Sequence, residues 1–432
     1  MTTSNRQATV LVGLQFGDEG KGKIVDWYSQ NYQLIIRYNG GANAGHTVEN
    51  AAGVFKLHLV PSGIFDPHAR CFLGNGAVVD PGTLVTELEM LTKAGVAIDR
   101  FRVSSRAHLV LPWHKIEDRL NESAKGNAAI GTTGRGIGPC YVDKVGRVGI
   151  RVGQLLDITD LRTSIRIADE AKAERIRRLF PGIHTTLPTA YETLWRELTE
   201  QRKILTPYIA DTDVLAREAW RNGESILLES AQGTMIDLEF GTYPFVTSSL
   251  ATSAGACGGS GLPPTAISKV IGVAKAYTTR VGNGPFPTEL NDETGEALRS
   301  VGNEFGATTG RARRCGWFDA PLVAYACDLN GATEVVLTKL DVLSALPSLR
   351  ICTGYNFCGS LRTRPPGPQE PYQEYEPLYT DLPGWQTPIA GATSWTALPD
   401  AAKRYVEAIE QLIGVRISAV ATGPRRDDII VR

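Results

Sequence analysis

Residues 8–23 read Ala-Thr-Val-Leu-Val-Gly-Leu-Gln-Phe-Gly-Asp-Glu-Gly-Lys-Gly-Lys, and this stretch decides the fold. The β-branched run at its start predicts a buried strand, and the glycines after it predict a tight loop. Residues 22–29 are then expected to form a helix. A strand, a glycine-rich loop and a helix in this order are typical of an α/β unit whose loop binds anions.

The loop matches the outline of a phosphate-binding loop. Gly17, Gly22 and Lys23 have the Walker A spacing G-x-x-x-x-G-K, although Ile24 stands where that motif has the Ser or Thr that binds Mg²⁺. Glycines let backbone N–H groups point at phosphates, and the lysine and the helix N-terminus favour an anion. Because the hydroxyl ligand is missing, the metal needs another ligand, and Asp18 is the candidate carboxylate.

Further short apolar runs predict strands at residues 34–38, 225–229, 267–276 and 334–338. Each run ends at a loop with polar or glycine-rich residues, and helical segments separate the runs. This alternation predicts an α/β fold with a large, mostly parallel central sheet and surrounding helices. Since the carboxyl ends of parallel strands share one edge, we expect the binding loops to meet there.

Length and charge exclude several classes of protein. A chain of 432 residues can bury about three quarters of its unfolded surface, so it needs no disulfide or metal to fold. Lys plus Arg number 45 and Asp plus Glu number 46, which argues against a nucleic-acid partner or a polybasic membrane anchor. Hydrophobic residues make up 42%, which excludes large-scale disorder.

The cysteines and histidines predict no structural zinc site. The seven cysteines contain no C-x-x-C pair, and the six histidines are scattered along the chain. Scattered thiols are typical of a reducing compartment. Residues 1–8 lack the apolar core of a signal peptide, and no run approaches the ~18 apolar residues of a membrane span. We therefore expect a cytoplasmic protein with no membrane partner.

The tetrapeptide Thr338-Lys339-Leu340-Asp341 follows the apolar run at 335–337. It is similar to the N-K-x-D turn of guanine-binding proteins, in which the Asp carboxylate accepts hydrogen bonds from guanine N1–H and the exocyclic amine. Adenine presents no such pair of donors on that edge. The tetrapeptide alone favours an ordinary capped strand-to-helix turn, but together with the phosphate loop it favours GTP.

Three further glycine-rich clusters exceed what a simple GTPase switch needs. Residues 39–47 contain His46, which can donate to charge on a transferring phosphoryl group or act as an acid. Residues 131–139 supply hydroxyls and an arginine. Residues 308–314 carry three arginines, which suit carboxylates or phosphates. Gly302, Gly306 and Gly310 before these arginines, and the apolar Trp317-Phe318 after them, favour a binding loop over a solvated charged face.

Residues 157–222 differ in character, because they have a long, charged, helical periodicity. This pattern predicts a helical insertion packed on the sheet, with apolar positions at Leu161, Ile165, Ile167, Ile176 and Leu179. We expect one domain over residues 1–432, with a guanine-binding and C-terminal part at about 331–432. An amphipathic helix is expected near residues 399–413.

Eight segments between residues 13 and 341 form an ordered set of motifs. They are G-D-E-G-K-G-K, N-G-G-A-N-A-G-H-T, G-T-T-G-R-G-I-G-P, A-Q-G-T, Y-P-F-V-T-S-S, G-P-F-P-T-E-L, T-T-G-R-x-R-R-C-G-W and T-K-L-D. In this order they resemble the adenylosuccinate synthetase family. L-P-G-W at 382–385 and T-G-P at 422–424 extend the resemblance toward the C-terminus.

The resemblance implies a GTP-dependent ligase that joins IMP and L-aspartate to adenylosuccinate and releases GDP and phosphate. The reaction would pass through a 6-phosphoryl-IMP intermediate and would be the first committed step of AMP synthesis from IMP. The resemblance also implies Mg²⁺ as cofactor, a homodimer, and a parallel-sheet fold with a P-loop-like GTP site.

The resemblance further implies catalytic roles. Asp18 would be the catalytic base and, with the backbone carbonyl of Gly45, would bind the Mg²⁺. Lys21 would contact the γ-phosphate and His46 would donate a proton over the phosphates. Gln232 and His46 would stabilise the negative oxygens.

The binding residues that the resemblance implies fall into three groups. The IMP group is Asp18, Lys21, Asn43, Ala44, Gly45, His46, Thr133, Gln232, Thr247 and Arg311, with Arg147 of the partner subunit. The aspartate group is Ala307, Thr308, Thr309, Gly310, Arg311 and Arg313. The GTP group is Gly17, Asp18, Glu19, Gly20, Lys21, Gly22, Lys23, Gly45, His46, Thr47, Arg313, Lys339, Leu340, Asp341, Ala421, Thr422 and Gly423.

Two departures from the family pattern leave alternatives open. Leu250 stands where the family usually has Asn, and Arg425 where related chains often carry an acidic or small residue. The same ligase chemistry on a modified purine nucleotide is therefore an alternative. A regulatory GTPase is a more distant one, since it leaves Arg311 and Gln232 without a role. A dinucleotide-binding dehydrogenase is disfavoured, because the glycines near residue 13 do not follow G-x-G-x-x-G.

Overall fold

The computed structural model describes residues 7–181, 191–306, 310–367 and 370–432. In these ranges the α-helices are α1 (Lys21–Ser29), α2 (Pro81–Lys93), α3 (Pro112–Lys125), α4 (Ile137–Gly146), α5 (Ile158–Leu179), α6 (Tyr191–Leu205), α7 (Thr212–Arg221), α8 (Gly255–Ser260), α9 (Glu293–Val301), α10 (Ala320–Asn330) and α11 (Asp400–Ile413). The strands are β1 (Ala8–Gly13), β2 (Leu34–Arg37), β3 (His46–Asn50), β4 (Gly53–Leu57), β5 (Arg70–Leu73), β6 (Val78–Val79), β7 (Phe101–Ser104), β8 (His108–Leu109), β9 (Ile209–Ala210), β10 (Ile226–Glu229), β11 (Ile267–Lys275), β12 (Thr278–Arg280), β13 (Arg314–Gly316), β14 (Phe318–Asp319), β15 (Glu334–Thr338), β16 (Ser348–Phe357), β17 (Ser360–Arg362), β18 (Glu376–Pro383), β19 (Ile417–Ala421) and β20 (Ile429–Val431).

Ten of these strands form the central sheet, in the order β20-β19-β15-β11-β1-β10-β2-β5-β7-β9. Every neighbouring pair is parallel except β19 and β20. The large, mostly parallel α/β sheet expected from the sequence is thereby confirmed. The five predicted strands are β1, β2, β10, β11 and β15, which lie side by side in the middle of the sheet, with ends within one residue of the prediction.

The central strands are buried because both faces of the sheet are covered. Ala8, Val10 and Val12 of β1 pack into one apolar core, whereas Leu11 packs into a second core on the opposite face. Strands β2 and β10 divide their side chains in the same alternating way. A strand buried on both faces reads as a continuous apolar run, and these runs were visible in the sequence for that reason.

Helix α5 begins after Asp157, whose carboxylate accepts hydrogen bonds from the N–H groups of residues 159 and 160. Its buried face contains Leu161, Ile165 and Ile176, as the sequence predicted. The prediction was wrong for Ile167 and Leu179, which are 57% and 56% exposed. Ile167 lies about 200° around the helix from Ile165, on the opposite face, and Leu179 is the last residue of the helix.

The rest of the 157–222 segment contains more than helices. Helices α6 and α7 are joined through β9, which adds the edge strand to the central sheet beside β7. Helix α6 packs on α2, and α5 packs on α3. In the described ranges, no helix is long and apolar enough to cross a membrane.

The topology brings distant loops to one edge of the sheet. Strands β1, β2, β10, β11, β15 and β19 run parallel, so their carboxyl ends lie on the same side. The glycine-rich phosphate loop follows β1, and the T-K-L-D turn follows β15. The amphipathic helix expected at the C-terminus is α11, which leads into β19 and the turn after it.

Candidate active site

A cleft of about 1110 Å³ opens at this edge of the sheet. Most of the residues singled out in the sequence line it, although they come from segments as far apart as Gly17 and Gly423. They are Gly17, Asp18, Gly20, Lys21, Gly22, Lys23, Asn43, Ala44, Gly45, His46, Thr47, Thr133, Gln232, Thr247, Gly310, Arg311, Arg313, Lys339, Asp341, Ala421 and Gly423. The fold therefore brings the predicted phosphate, histidine, arginine and guanine loops into one cavity.

A few predicted residues lie elsewhere. Glu19, Leu340 and Thr422 are fully buried beside the cleft and do not line it. Arg147 is exposed at the end of α4, outside the cleft. Ala307, Thr308 and Thr309 lie outside the described residues.

The phosphate loop is shaped from within by Glu19. Its carboxylate accepts hydrogen bonds from the N–H groups of Gln15 (3.1 Å) and Gly17 (2.9 Å) and from Lys21 Nζ (2.5 Å). Gly20 has a left-handed backbone (φ 86°), and α1 begins at the next residue. Glu19 therefore holds the loop and Lys21 in place, although its own side chain does not line the cleft.

Lys23, at the Walker lysine position, ties the phosphate loop to the C-terminal turn. Its Nζ donates to the carbonyl oxygens of Gly423 (2.7 Å) and Asp428 (2.9 Å). Burial lowers the pKa of Lys23 to about 8, against the opposing effect of Asp428 and Asp341. The ammonium group of Lys23 thus joins the phosphate loop to the C-terminal turn between the last two strands of the sheet.

His46 is oriented by Glu229, a residue that the sequence analysis missed. His46 Nδ1 lies 2.7 Å from Glu229 Oε1, and Glu229 also accepts from the N–H (2.9 Å) and Oγ (2.7 Å) of Ser62. Both side chains are buried. The carboxylate accepts a hydrogen bond from the Nδ1–H group, so Nε2 is the ring nitrogen that this pair does not engage. The available signal was a lone carboxylate at the carboxyl end of the apolar run Ile-Leu-Leu-Glu.

Burial determines the charge of this histidine in the free protein. It lowers the pKa of His46, while the hydrogen bond and charge of Glu229 act in the opposite direction. At neutral pH the free protein therefore holds a neutral imidazole beside a carboxylate. That carboxylate would stabilise the imidazolium once phosphate charge enters the cleft.

The arginine loop reaches two other parts of the cleft. Arg313 is 8% exposed, and its Nε donates to Asp18 Oδ2 at 2.8 Å. Arg311 Nη2 donates to the carbonyl oxygens of Gly131 (2.8 Å) and Thr132 (3.0 Å). Arg311 and Arg313 of the three-arginine cluster therefore line the cleft, whereas Arg314 does not line it and pairs with Glu289.

Two amides from different loops meet on the other wall. Gln232 Nε2 donates to Asn43 Oδ1 at 3.2 Å, and the same oxygen accepts from the N–H of Gly41 at 3.2 Å. These residues follow β10 and β2, which are neighbours in the sheet. At the T-K-L-D turn, burial raises the pKa of Asp341, while Lys339 and Lys23 oppose that effect.

Backbone strain marks several of the predicted residues. Seven non-glycine residues in the described ranges have positive φ, and four of them are Asp18 (59°), Arg147 (63°), Gln232 (64°) and Lys339 (58°). Such conformations cost roughly 1–3 kcal/mol each and concentrate at functional sites. This concentration supports a functional role for these four residues independently of their side-chain chemistry.

The oxygen donors of the cleft suit Mg²⁺. In the ranges that the structure describes, no group of three or more His, Cys, Asp or Glu residues is arranged to hold a metal. Mg²⁺ commonly takes one or two protein oxygens and completes its shell with water and substrate phosphates. Asp18 and Gly45 line the same cleft, and a carboxylate together with a backbone carbonyl would fit that requirement.

Comparison with known proteins identifies the family. The family model for adenylosuccinate synthetase matches residues 10–430. The chain belongs to the adenylosuccinate synthetase family. It is 49% identical over 426 residues to adenylosuccinate synthetase of Moorella thermoacetica, and 48% identical over 422 residues to that of Carboxydothermus hydrogenoformans, with 98% of each chain covered. The resemblance seen in the motifs is confirmed.

Solved structures agree with this assignment. Fully ligated adenylosuccinate synthetase from Plasmodium falciparum matches with a TM-score of 0.91 and 36% identity, over 98% of this chain and 99% of that one. Members of the adenylosuccinate synthetase family use GTP to join IMP and aspartate, and this chain is such a ligase of purine biosynthesis.

The modified-purine alternative gains no support from the position of Leu250. That side chain is 43% exposed and does not line the cleft. Succinoaminodeoxyadenylate synthetase of cyanophage S-2L matches with a TM-score of 0.63 but only 21% identity, which shows a shared fold alone. Arg425 is also exposed, and its Nε lies 3.7 Å from Glu49 Oε1 in a solvent-accessible ion pair.

Proposed function

We propose that the cleft carries out the ligation in two steps with Asp18 as the base. In the first step, Asp18 takes the N1 proton of IMP, O6 attacks the γ-phosphorus of GTP, and GDP leaves. In the second step, the amine of aspartate attacks C6 and loses a proton, and O6 departs with the phosphate. The observation that carries this proposal is the convergence of Asp18, His46 and Gln232 in one cleft with Asp341.

The negative oxygens of both steps need fixed donors. Lys21 is held by Glu19 at the phosphate loop, and His46 is held by Glu229 beside it. Gln232 adds an amide from the loop after β10. Donors that are already oriented cost little reorganisation during reaction, so these three side chains would stabilise the transferring phosphoryl group and O6. The Asp18 carboxylate and the Gly45 carbonyl would hold a Mg²⁺ ion, which would supply charge neutralisation at the phosphates.

We assign the remaining lining residues to three subsites. Asn43, Ala44, Gly45, Thr133, Thr247 and Arg311 are assigned to IMP, and Gly310, Arg311 and Arg313 to aspartate. The phosphate loop, Thr47, Lys339, Asp341 and the 421–423 turn are assigned to GTP. The arginines suit the two carboxylates of aspartate because a guanidinium binds a carboxylate through paired hydrogen bonds.

The omission of single components tests the proposal. A mixture of protein, IMP, GTP, Mg²⁺ and aspartate is expected to form adenylosuccinate, followed by its absorbance, and the omission of any one component should stop it. Steady GTP hydrolysis without IMP would contradict the proposal and would favour a GTPase switch.

Nucleotide choice should depend on Asp341. Asp341→Asn is expected to raise the KM for GTP and to lower the KM for xanthosine triphosphate, each by roughly tenfold or more. The reason is that the amide can donate a hydrogen bond to the oxo group that replaces the guanine amine. The measurement is the KM for both nucleotides. Asp427→Asn, at an exposed acid on the neighbouring C-terminal turn, is the matched control and should change neither. An unchanged guanine preference in Asp341→Asn would remove Asp341 from the base pocket.

We propose that the protein is a homodimer in which Arg147 of the partner subunit reaches the IMP 5′-phosphate. Helix α4 and the residue after its cap expose Val142 (56%), Val145 (80%) and Val148 (63%) around Arg147. Exposed apolar side chains grouped in this way are typical of protein interfaces. The free cysteines fit our further expectation that the protein works in the cytoplasm. One continuous ten-stranded central sheet fits our expectation of one domain.

Mixed subunits test the shared site. Arg147→Leu should raise the KM for IMP by roughly tenfold and leave the KM for GTP nearly unchanged, because one charged contact to a phosphate is lost. A mixture of Arg147→Leu and Asp18→Ala subunits should regain activity, since one of the two sites in a mixed dimer then contains neither change. If subunits that demonstrably exchange recover no activity, Arg147 does not act across an interface.

A further inference from the structure

Glu304 is a fully buried carboxylate on which four side chains converge. Lys275 Nζ lies 2.9 Å from both carboxylate oxygens, and Tyr277 donates its hydroxyl to Oε1 at 2.5 Å. Arg313 Nη1 donates to Oε2 at 2.6 Å, and Lys339 Nζ lies 3.2 Å from Oε1. Three cations therefore share one anion, and two of them, Arg313 and Lys339, line the cleft.

The same network continues to the proposed catalytic base. Arg313 uses its Nη1 for Glu304 and its Nε for Asp18 Oδ2, so one guanidinium bridges the two carboxylates. The order Lys339, Glu304, Arg313, Asp18 alternates in charge along a continuous line of contacts. This line begins beside Asp341, at the nucleotide-base end, and ends in the phosphate loop.

We infer that Glu304 is a positioning residue, which holds Lys339 for GTP and Arg313 for aspartate at the same time. The inference rests on the proposed assignment of Lys339 to the GTP subsite and Arg313 to the aspartate subsite. One buried carboxylate then sets the geometry of two subsites that come from separate loops. Neither side chain has to be ordered by its own substrate, which lowers the entropic cost of binding.

A purely structural role explains only part of this arrangement. Lys275 is fully buried and needs a counter-ion, and Glu304 would supply it without the other two cations. Burial lowers the pKa of Lys275 to about 8, although Glu304 opposes that effect. Burial alone would raise the pKa of Glu304, but Lys275, Lys339 and Arg313 together lower it, so the carboxylate stays ionised. A structural ion pair between Lys275 and Glu304 does not require Arg313 and Lys339, the two cations that line the cleft.

Steady-state kinetics with all three substrates test the inference. Glu304→Gln is expected to raise the KM for GTP and the KM for aspartate by roughly tenfold each, since each subsite loses a charge-assisted contact. The KM for IMP should stay within about twofold. Because Glu304→Gln leaves Lys275 without a counter-ion, the double variant Lys275→Met/Glu304→Gln removes both buried charges and should show the same pattern of KM values.

Controls separate the inference from loss of stability and from the proposed function. Glu289→Gln breaks a second carboxylate–arginine pair that does not line the cleft, with Arg314 Nε at 2.6 Å, and should leave all three KM values within about twofold. Lower kcat with unchanged KM values in a folded double variant would overturn the inference. Arg313→Leu and Lys339→Met test the subsites themselves. If they leave the KM values for aspartate and GTP unchanged, the proposed assignments fail. If they change these values but Glu304→Gln does not, the positioning role fails.

Discussion

Asp18→Asn is expected to bind GTP and IMP and to fail at phosphoryl transfer. Asparagine keeps the shape and an oxygen donor but cannot accept the N1 proton at neutral pH. A general base typically contributes ~10²–10⁴-fold, and the loss of a charged metal ligand adds to that, so turnover should fall by at least ~10²-fold. The measurements are nucleotide affinity by calorimetry and the rate of adenylosuccinate formation.

The fold should tolerate this substitution. The Asp18 side chain is 28% exposed, and it forms an ion pair with Arg313. Arg313 would keep its contact with Glu304 in the variant. Asp18→Ala should also abolish turnover and serves as the variant without an oxygen donor. An unfolding midpoint near that of the parent shows that the loop is intact. Near-normal turnover of Asp18→Asn, with deamidation excluded by mass, would falsify the base assignment.

Glu229→Gln is expected to lower kcat by roughly 10²-fold or more while the substrates still bind. The neutral amide removes the negative charge that would stabilise a protonated His46. Its NH₂ group can also donate a hydrogen bond to Nδ1, which would reverse the present hydrogen bond from Nδ1–H to the carboxylate. Gln has nearly the same side-chain volume as Glu and keeps one oxygen acceptor, so the loop around Ser62 should remain in place. Single-turnover kinetics locate the loss in the chemical step.

Proton uptake on nucleotide binding gives a second readout for the same pair. Burial lowers the pKa of His46 in the free protein, so the imidazole is neutral at pH 7. Phosphate charge should raise that pKa, and the complex then binds more protons than the free protein. GTP affinity should therefore fall as pH rises from the lowered pKa of His46 in the free protein to its higher pKa in the complex. Calorimetry in buffers of different ionisation enthalpy should show proton uptake for the parent and less for Glu229→Gln. Equal uptake in both proteins would exclude the pair as its source.

The middle of the fold could be predicted from local patterns. Strands β1, β2, β10, β11 and β15 are buried on both faces, so each is a recognisable apolar run that ends at a polar or glycine-rich loop. The peripheral strands carry weaker signals, because β5 contains no β-branched residue, Arg102 interrupts β7, and β9 has only two residues. Such segments are hard to separate from loops by their local pattern.

The cleft could be predicted only where its loops carry motifs. Gly17–Lys23, His46 and the T-K-L-D turn were visible because glycines and charged residues cluster within a few positions. Glu229 reaches His46 across 183 positions, and Lys23 reaches Gly423 across 400. Glu304 gains its role only when β11, β15 and the arginine loop meet around it. Contacts of this kind depend on the topology of the sheet and leave no local pattern.

The transfer of oxygen from IMP to phosphate tests the central claim most directly. IMP labelled with ¹⁸O at O6 is supplied with GTP, Mg²⁺ and aspartate, and the released phosphate is analysed by mass spectrometry. Because O6 is proposed to attack the γ-phosphorus and to leave with it, each phosphate should contain one ¹⁸O atom and the adenylosuccinate should contain none at C6. Unlabelled phosphate formed in step with adenylosuccinate would show that the γ-phosphoryl group never reaches O6 and would contradict the account.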